Sequence, residues 1–343
     1  MANVVADGTY ANYTGANLNE IFFEPTFRSD DILGNYRVIP NVKHDINVFS
    51  SANLTKIVES YSDCTAGLTG GSSNLDSKTL TAGRCRVGLE QCADEFMNTY
   101  IEELYRSGVD AMNVEGTVVG EVMTRRTVEG IGQDVVRLSW GGDTAAGTPS
   151  GYNVFEGWFK KMAGLTSIEE GSATVGAVTA TQALSLIRAV YDGAPAALQQ
   201  VAANEKKMFV TPRLYNAYLA NLEGTSSDLA WAAQKDGVMK VSFRGVELVP
   251  MYEWDTTLTD YAASSNYPAI FEDSAATPVE CNDGVCYCAT ENLIVGTDVS
   301  DPQGQMKMWY DDKDEKTYVR AYFKLGVQYL FDSLVQWGIV TST

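Results

Sequence analysis

The chain has 343 residues, with 44 Asp and Glu against 25 Lys and Arg and a single His, for a formal net charge of −19. Hydrophobic residues make up 45% and charged residues 20%, with 18 Tyr and 12 Phe, which excludes a disordered chain and predicts one large core or two modest ones. No apolar run approaches the ~18 residues of a membrane span, the amino terminus has neither the basic start nor the apolar stretch of an export signal, and the acidity leaves no global footprint for phosphate backbones or anionic lipid.

Residues 1–36 show no sustained period and read as an arm. From Tyr36 to about Phe49 the chain alternates, with Val42, His44, Ile46 and Val48 on one strand face, and that setting predicts a packed or interface His44 rather than a catalytic one. Thr79–Gln91 alternates as well, with Cys85, Val87 and Leu89 opposite Arg84 and Arg86. The two runs are expected to pair as a long hairpin around a Gly/Ser-rich tip at 65–77, which has too little apolar surface to bury itself and therefore calls for a partner.

Helical spacing starts at Ala93, with Phe96, Tyr100, Ile101 and Leu104 on one stripe ending at Ser107-Gly108. A longer helix follows, capped by Thr117, carrying Val118, Val122, Val128, Ile131, Val135 and Leu138 and stopped by Gly141-Gly142. Gly130 and Gly132 inside it predict a bend or a close backbone contact. Thr181 is placed to cap a helix with Leu184, Ile187 and Tyr191 inward, and Pro195 to open a short one with Leu198 and Val201 inward. Lys207–Val210 reads as a buried strand, Thr211-Pro212 as the start of a helix carrying Leu214, Tyr218 and Leu222, and 246–249 and 269–271 as strands of the same α+β module. Met306–Tyr310 and Tyr318–Leu325 alternate around the acidic turn 311–315, a second hairpin with Val319, Ala321, Phe323 and Leu325 on one face.

Candidate chemistry is sparse. A single His excludes every two-histidine metal motif, and the acidic turn 311–315 lacks the Gly and distant Glu of a calcium loop. Cys281, Cys286 and Cys288 form C-x₄-C-x-C, which has neither the paired spacing nor the fourth ligand of structural zinc. Read as a hairpin turning at Asn282-Asp283-Gly284-Val285, the stretch sets Cys281 opposite Cys286 as a candidate cross-strand thiol pair. There is no phosphate loop and no Gly-x-Ser-x-Gly elbow, so no catalytic, cofactor-binding or metal residue can be named and the chain reads as a non-enzyme without a cofactor.

The order of parts resembles that of a tailed-phage major capsid protein of the Hong Kong 97-like fold. The residues that carry the resemblance are Trp140-Gly141-Gly142-Asp143 followed by Asn153–Trp158, then Met208–Arg213, Phe243–Pro250 and Glu291–Asp298. It implies an α+β fold with an N-terminal arm at 1–36, an extended β-hairpin loop at 37–92, a peripheral domain at 93–180 and 297–330 with a long spine helix at 116–140, and an axial α+β domain at 181–296 and 331–343. It further implies a homo-oligomer of hexamers and pentamers forming an icosahedral shell around double-stranded DNA, without sequence-specific DNA binding or a membrane. Assembly would take place in the host cytoplasm, with scaffolding, portal and accessory capsid proteins as partners. A few members link their loops covalently, which draws attention to Lys78 beside the tip, although no partner for it can be named from the sequence. The alternatives are an encapsulin-type nanocompartment shell and a soluble enzyme whose site the sequence does not display.

Overall fold

Among the described residues, alternating runs with one apolar face build two large sheets and a two-stranded one, and helices pack against the large ones. The computed structural model describes residues 35–51, 75–92, 118–146, 151–170, 178–225, 241–262, 281–298, 307–311, 313–314 and 316–341. In chain order these form β1 (Arg37–Ile39), β2 (Ile46–Ser51), β3 (Leu75–Leu80), β4 (Gly83–Cys92), α1 (Val118–Gly141), α2 (Trp158–Met162), β5 (Ser167–Glu170), α3 (Ala180–Asp192) and α4 (Ala196–Gln200). There follow β6 (Lys206–Val210), α5 (Pro212–Thr225), β7 (Ser242–Phe243), β8 (Val246–Pro250), α6 (Tyr252–Ala262), β9 (Cys281–Ala289), β10 (Leu293–Thr297), β11 (Lys307–Asp311), β12 (Lys316–Tyr329) and β13 (Val335–Thr341).

The first sheet is organised by β12. One edge pairs antiparallel with β4, from Lys316↔Cys92 to Leu325↔Gly83. The other edge is shared, β11 taking its first half and β10 its second, with β1 parallel beyond β10. Val319, Ala321, Phe323 and Leu325 are all buried, as their alternation predicts, and pack with Ile131, Val135 and Leu138 of α1. The second sheet runs β5-β13-β9-β6-β8-β7, and α3 and α5 cover it through Ala183, Leu186, Ile187, Val190, Leu214 and Tyr218.

Several expectations change here. The long hairpin of 36–49 with 79–91 does not form: Pro40 has no N–H to give and Asn41 sits at φ 66°, so the first run breaks into β1 and β2. β2 then pairs with β3, from Ile46↔Leu80 to Ser51↔Leu75, and β4 joins β12 instead. His44 falls in the break and is exposed rather than packed. The cap of α3 is Thr179, not Thr181: its hydroxyl accepts from Gln182 N while the Gln182 side chain accepts from Thr179 N, a reciprocal capping box. Asn282–Val285 is no turn, because Cys281–Ala289 is one continuous strand between β13 and β6. β5, which the sequence reading passed over, adds to the edge of β13. The expected helix from Ala93, the loop tip before Leu75 and the expected strand at 269–271 lie outside the described residues.

α1 spans 24 residues, about 36 Å at 1.5 Å per residue, and is unbroken through Gly130 and Gly132. A Cβ at either glycine would meet nothing within 4 Å, so the close backbone contact expected there is not made among the described residues. Gly130→Ala and Gly132→Ala are each expected to stabilise the subunit by roughly 0.5–1 kcal/mol through lower unfolded-state entropy. Paired denaturant titrations would show the midpoint rising.

One aromatic junction connects both sheets. Trp140 at the end of α1 is fully buried, with ring centroids 4.7 Å from Trp254 of α6, 4.8 Å from Trp158, 5.3 Å from Phe159 of α2 and 5.5 Å from Phe209 of β6. Its Nε1–H donates to the Tyr36 hydroxyl at 3.1 Å, and burial pushes the Tyr36 phenol well above its ordinary pKa. The chain after α1 is clasped by glycines: Gly157 N–H donates to Gly142 O at 2.8 Å, and Gly142 N–H donates to Leu138 O at 2.9 Å.

Candidate functional site

The β2–β3 hairpin forms a two-stranded sheet of its own, and its base is fastened to the first sheet by specific contacts. Ile46 and Val48 face inward with Val42, Leu80 and Ile294, while Phe49 on the opposite face is 62% exposed. The base sits where the first sheet has glycine. A Cβ at Gly296 would lie 2.7 Å from Leu80, and one at Gly326 would run into Thr81 O. Lys78 Nζ bonds to Asp332 at 2.5 Å and lies 3.6 Å from the centroid of the Tyr329 ring, and Gln328 Nε2 donates to Thr79 O at 2.7 Å. Lys78, singled out in the sequence as a loop lysine, therefore fastens the hairpin to the chain 254 positions later.

At the centre of the second sheet, Asp283 of β9 is 1% exposed. The Thr211 hydroxyl donates to it at 2.8 Å, and Arg213 of α5 reaches it at 3.3 Å while its other nitrogen lies 3.4 Å from Asp255 of α6. Thr211 N–H also donates to Gly284 O, so the start of α5 is tied to β9 twice. Burial pushes the Asp283 carboxyl up to about 6 against the pull of Thr211 and Arg213. The sequence motifs contained all three residues, but an Asn-Asp-Gly run signals a turn and the pairing of β9 on both edges is what buries the aspartate.

A carboxyl harder to ionise folded than unfolded holds its proton in the native state between about pH 4 and 6, where the unfolded chain has released it. This contribution to stability is thus present at low pH and is lost as pH rises through about 6. Asp283→Asn, which keeps an acceptor for Thr211, is expected to flatten the fall in thermal midpoint between pH 4 and 7. A slope unchanged by the substitution would assign the pH dependence elsewhere.

Cys281 and Cys286 do not face each other across a turn. They stand five positions apart on β9, where the register pairs Cys281 with Thr341 and Cys286 with Trp337. At ~3.3 Å per residue their Cα atoms are ~16 Å apart, beyond the reach of a disulfide. Cys286 and Cys288 are buried in the core, and Cys288 is pushed up by its hydrogen bond with Cys286 and by burial. Cys85 is pushed up to about 12 by burial, so neither thiol is poised as a thiolate nucleophile. Among the described residues no group of three or more His, Cys, Asp or Glu is placed to hold a metal ion.

No family model matches the sequence, and no curated protein matches it. Solved structures do match, over nearly the whole length. The chain is similar to one of the satellite phage P4 procapsid that includes the size determination protein, at 10% identity and a TM-score of 0.60, covering 95% of this chain and 91% of that one. It is similar to a chain of the bacteriophage PhiM1 mature capsid, at 11% identity and a TM-score of 0.52, covering 100% and 91%. A chain of the capsid of native GTA particle matches at 11% identity and a TM-score of 0.52, covering 99% and 96%. Identity this low speaks for the fold. The chain has the fold of these phage and GTA capsid chains.

Proposed function

We propose that this chain is the major capsid protein of a tailed phage, of the Hong Kong 97-like type, and that copies of it assemble as hexamers and pentamers into an icosahedral shell around double-stranded DNA. The observation that carries this reading is the end-to-end match to the P4 procapsid chain, 95% of one against 91% of the other, which leaves little of either chain for another role. The extended loop would be built on the β2–β3 hairpin, the peripheral domain on α1 and the sheet of β12, and the axial domain on the sheet of β9. β5 and β13 then belong with the axial sheet, while β1, β4 and β10 belong with the peripheral one. An anchored base with Phe49 exposed on its outer face suits a hairpin that a neighbour covers. The charge of −19 suits a wall that encloses phosphate without adhering to it. Size exclusion with light scattering, on protein expressed alone and with its scaffolding partner, should give capsomers or particles in the megadalton range. A protein that stays monomeric in both preparations would overturn the proposal.

A further inference from the structure

The first sheet has a second face, turned away from α1, and the described residues cover only part of it. Lys324, Gly326 and Gln328 of β12 share that face, and over Gly326 and Gln328 lies the base of the β2–β3 hairpin. Lys324 Nζ donates to Lys43 O at the margin of the cover. Beyond it the strands continue with Tyr322 beside Arg86 and Lys324 beside Arg84, then Arg320 beside Lys307 on the other edge. Arg84 and Arg86 are exposed and Tyr322 is 47% exposed. The Arg320 guanidinium lies over the Trp309 ring, 4.9 Å from its centroid, a cation–π contact.

Charge on this face is uneven. Toward the acidic turn it is balanced, Lys316 pairing with Glu90 at 3.1 Å. Away from the turn, no carboxylate among the described residues makes an ion pair with Arg84, Arg86, Arg320 or Lys324. A cationic and aromatic face thus stands on a chain with 19 more acidic than basic residues. With this balance an area of the surface is acidic on average, so the cationic face is complementary to the predominantly acidic surface of another copy.

We propose that the open part of this face, Arg84, Arg86, Arg320, Lys324 and Tyr322, is a docking surface for an acidic segment of a second copy of this chain. The proposal rests on the shell reading and names the place where copies meet. Tyr36, just before β1, is buried on the α1 side of the sheet among Trp140, Trp158 and Phe209, so this residue of the same copy takes no part in the open face. Association through guanidinium and carboxylate groups at a surface is screened by salt, the Debye length falling from ~8 Å at 0.15 M to ~3 Å at 1 M. It also fixes orientation and rejects wrong partners.

Particles assembled from equal parts of ¹⁴N- and ¹⁵N-labelled chain, coupled with a zero-length carbodiimide and digested, should yield peptides joining Lys307 or Lys324 of one isotope to an Asp or Glu of the other. Arg86→Glu with Arg320→Glu should cut particle yield at least tenfold, while Arg84→Gln with Arg86→Gln, which touches only exposed side chains, should keep the subunit's thermal midpoint, weaken assembly at low salt and flatten its dependence on salt. Conjugates within one isotope only, or normal particle yield from both variants, would overturn the docking surface while wild-type particles still upheld the shell. Normal particles that merely lose DNA would assign the face to nucleic acid and equally overturn it. A wild-type chain that forms no particles would instead take down the shell reading itself.

Discussion

Trp140→Ala is expected to destabilise the subunit by about 4 kcal/mol, within the ~3–5 kcal/mol range for removing a large buried aromatic. That is a large part of the ~5–15 kcal/mol that holds a typical domain together. The effect should be at the upper end because Trp140 is shared: its ring touches residues from α2, β6 and α6, and its N–H holds the buried Tyr36 hydroxyl just before β1. Truncation leaves both a cavity and a phenol without its donor. Trp140→Phe keeps most of the ring and should cost clearly less. Equal losses for the two variants in urea titrations would mean that the indole N–H, and not the packing, carries the effect.

Gly157→Ala should be almost as damaging for an opposite reason. A Cβ there would lie 2.6 Å from Trp140 O and 2.6 Å from Gly142 N, both backbone atoms that no rotamer change can move. Gly142→Ala would drive a Cβ into Leu138 O, 2.7 Å away, and into Phe155 O. Overpacking against fixed backbone costs ~1–3 kcal/mol and sometimes more, and here it would also break the hydrogen bond from Gly157 to Gly142. Gly164, whose Cβ would meet nothing within 4 Å, provides the control. The expected result is a thermal midpoint well below wild type for Gly157→Ala and close to wild type for Gly164→Ala. The same lowering in both would remove the steric explanation.

Legibility followed the range of the interaction. Where one residue's neighbours decide its state, the sequence was sufficient: the buried face of β12, the strand Lys206–Val210, the start of α5 at Pro212 and the end of α1 all stand within a residue or two of their patterns. Where a distant segment decides, it was not. β4 has the alternation of a hairpin partner for β2, but its apolar face fits β12, more than 220 positions later. Asn282-Asp283-Gly284 has the composition of a turn, yet strands on both sides and the Thr211 and Arg213 contacts hold it straight. α6 has too few apolar residues to announce itself, and Trp254 was missed although it is 1% exposed in the aromatic junction. The cationic face was present in the sequence as the alternation of Arg84 with Arg86 and of Tyr318, Arg320, Tyr322 and Lys324. What the sequence did not contain was that the two rows lie side by side.

Cryo-electron microscopy of particles purified after expression alone and with a candidate scaffolding protein bears most directly on the proposed shell. The expected image is a closed icosahedral particle of hexamers and pentamers, each chain with α1 and the sheet of β12 on one side, the sheet of β9 toward the symmetry axis, and the β2–β3 hairpin lying on a neighbouring copy. Discrete monomers at high concentration, or closed particles in which the hairpin contacts only its own chain, would contradict it.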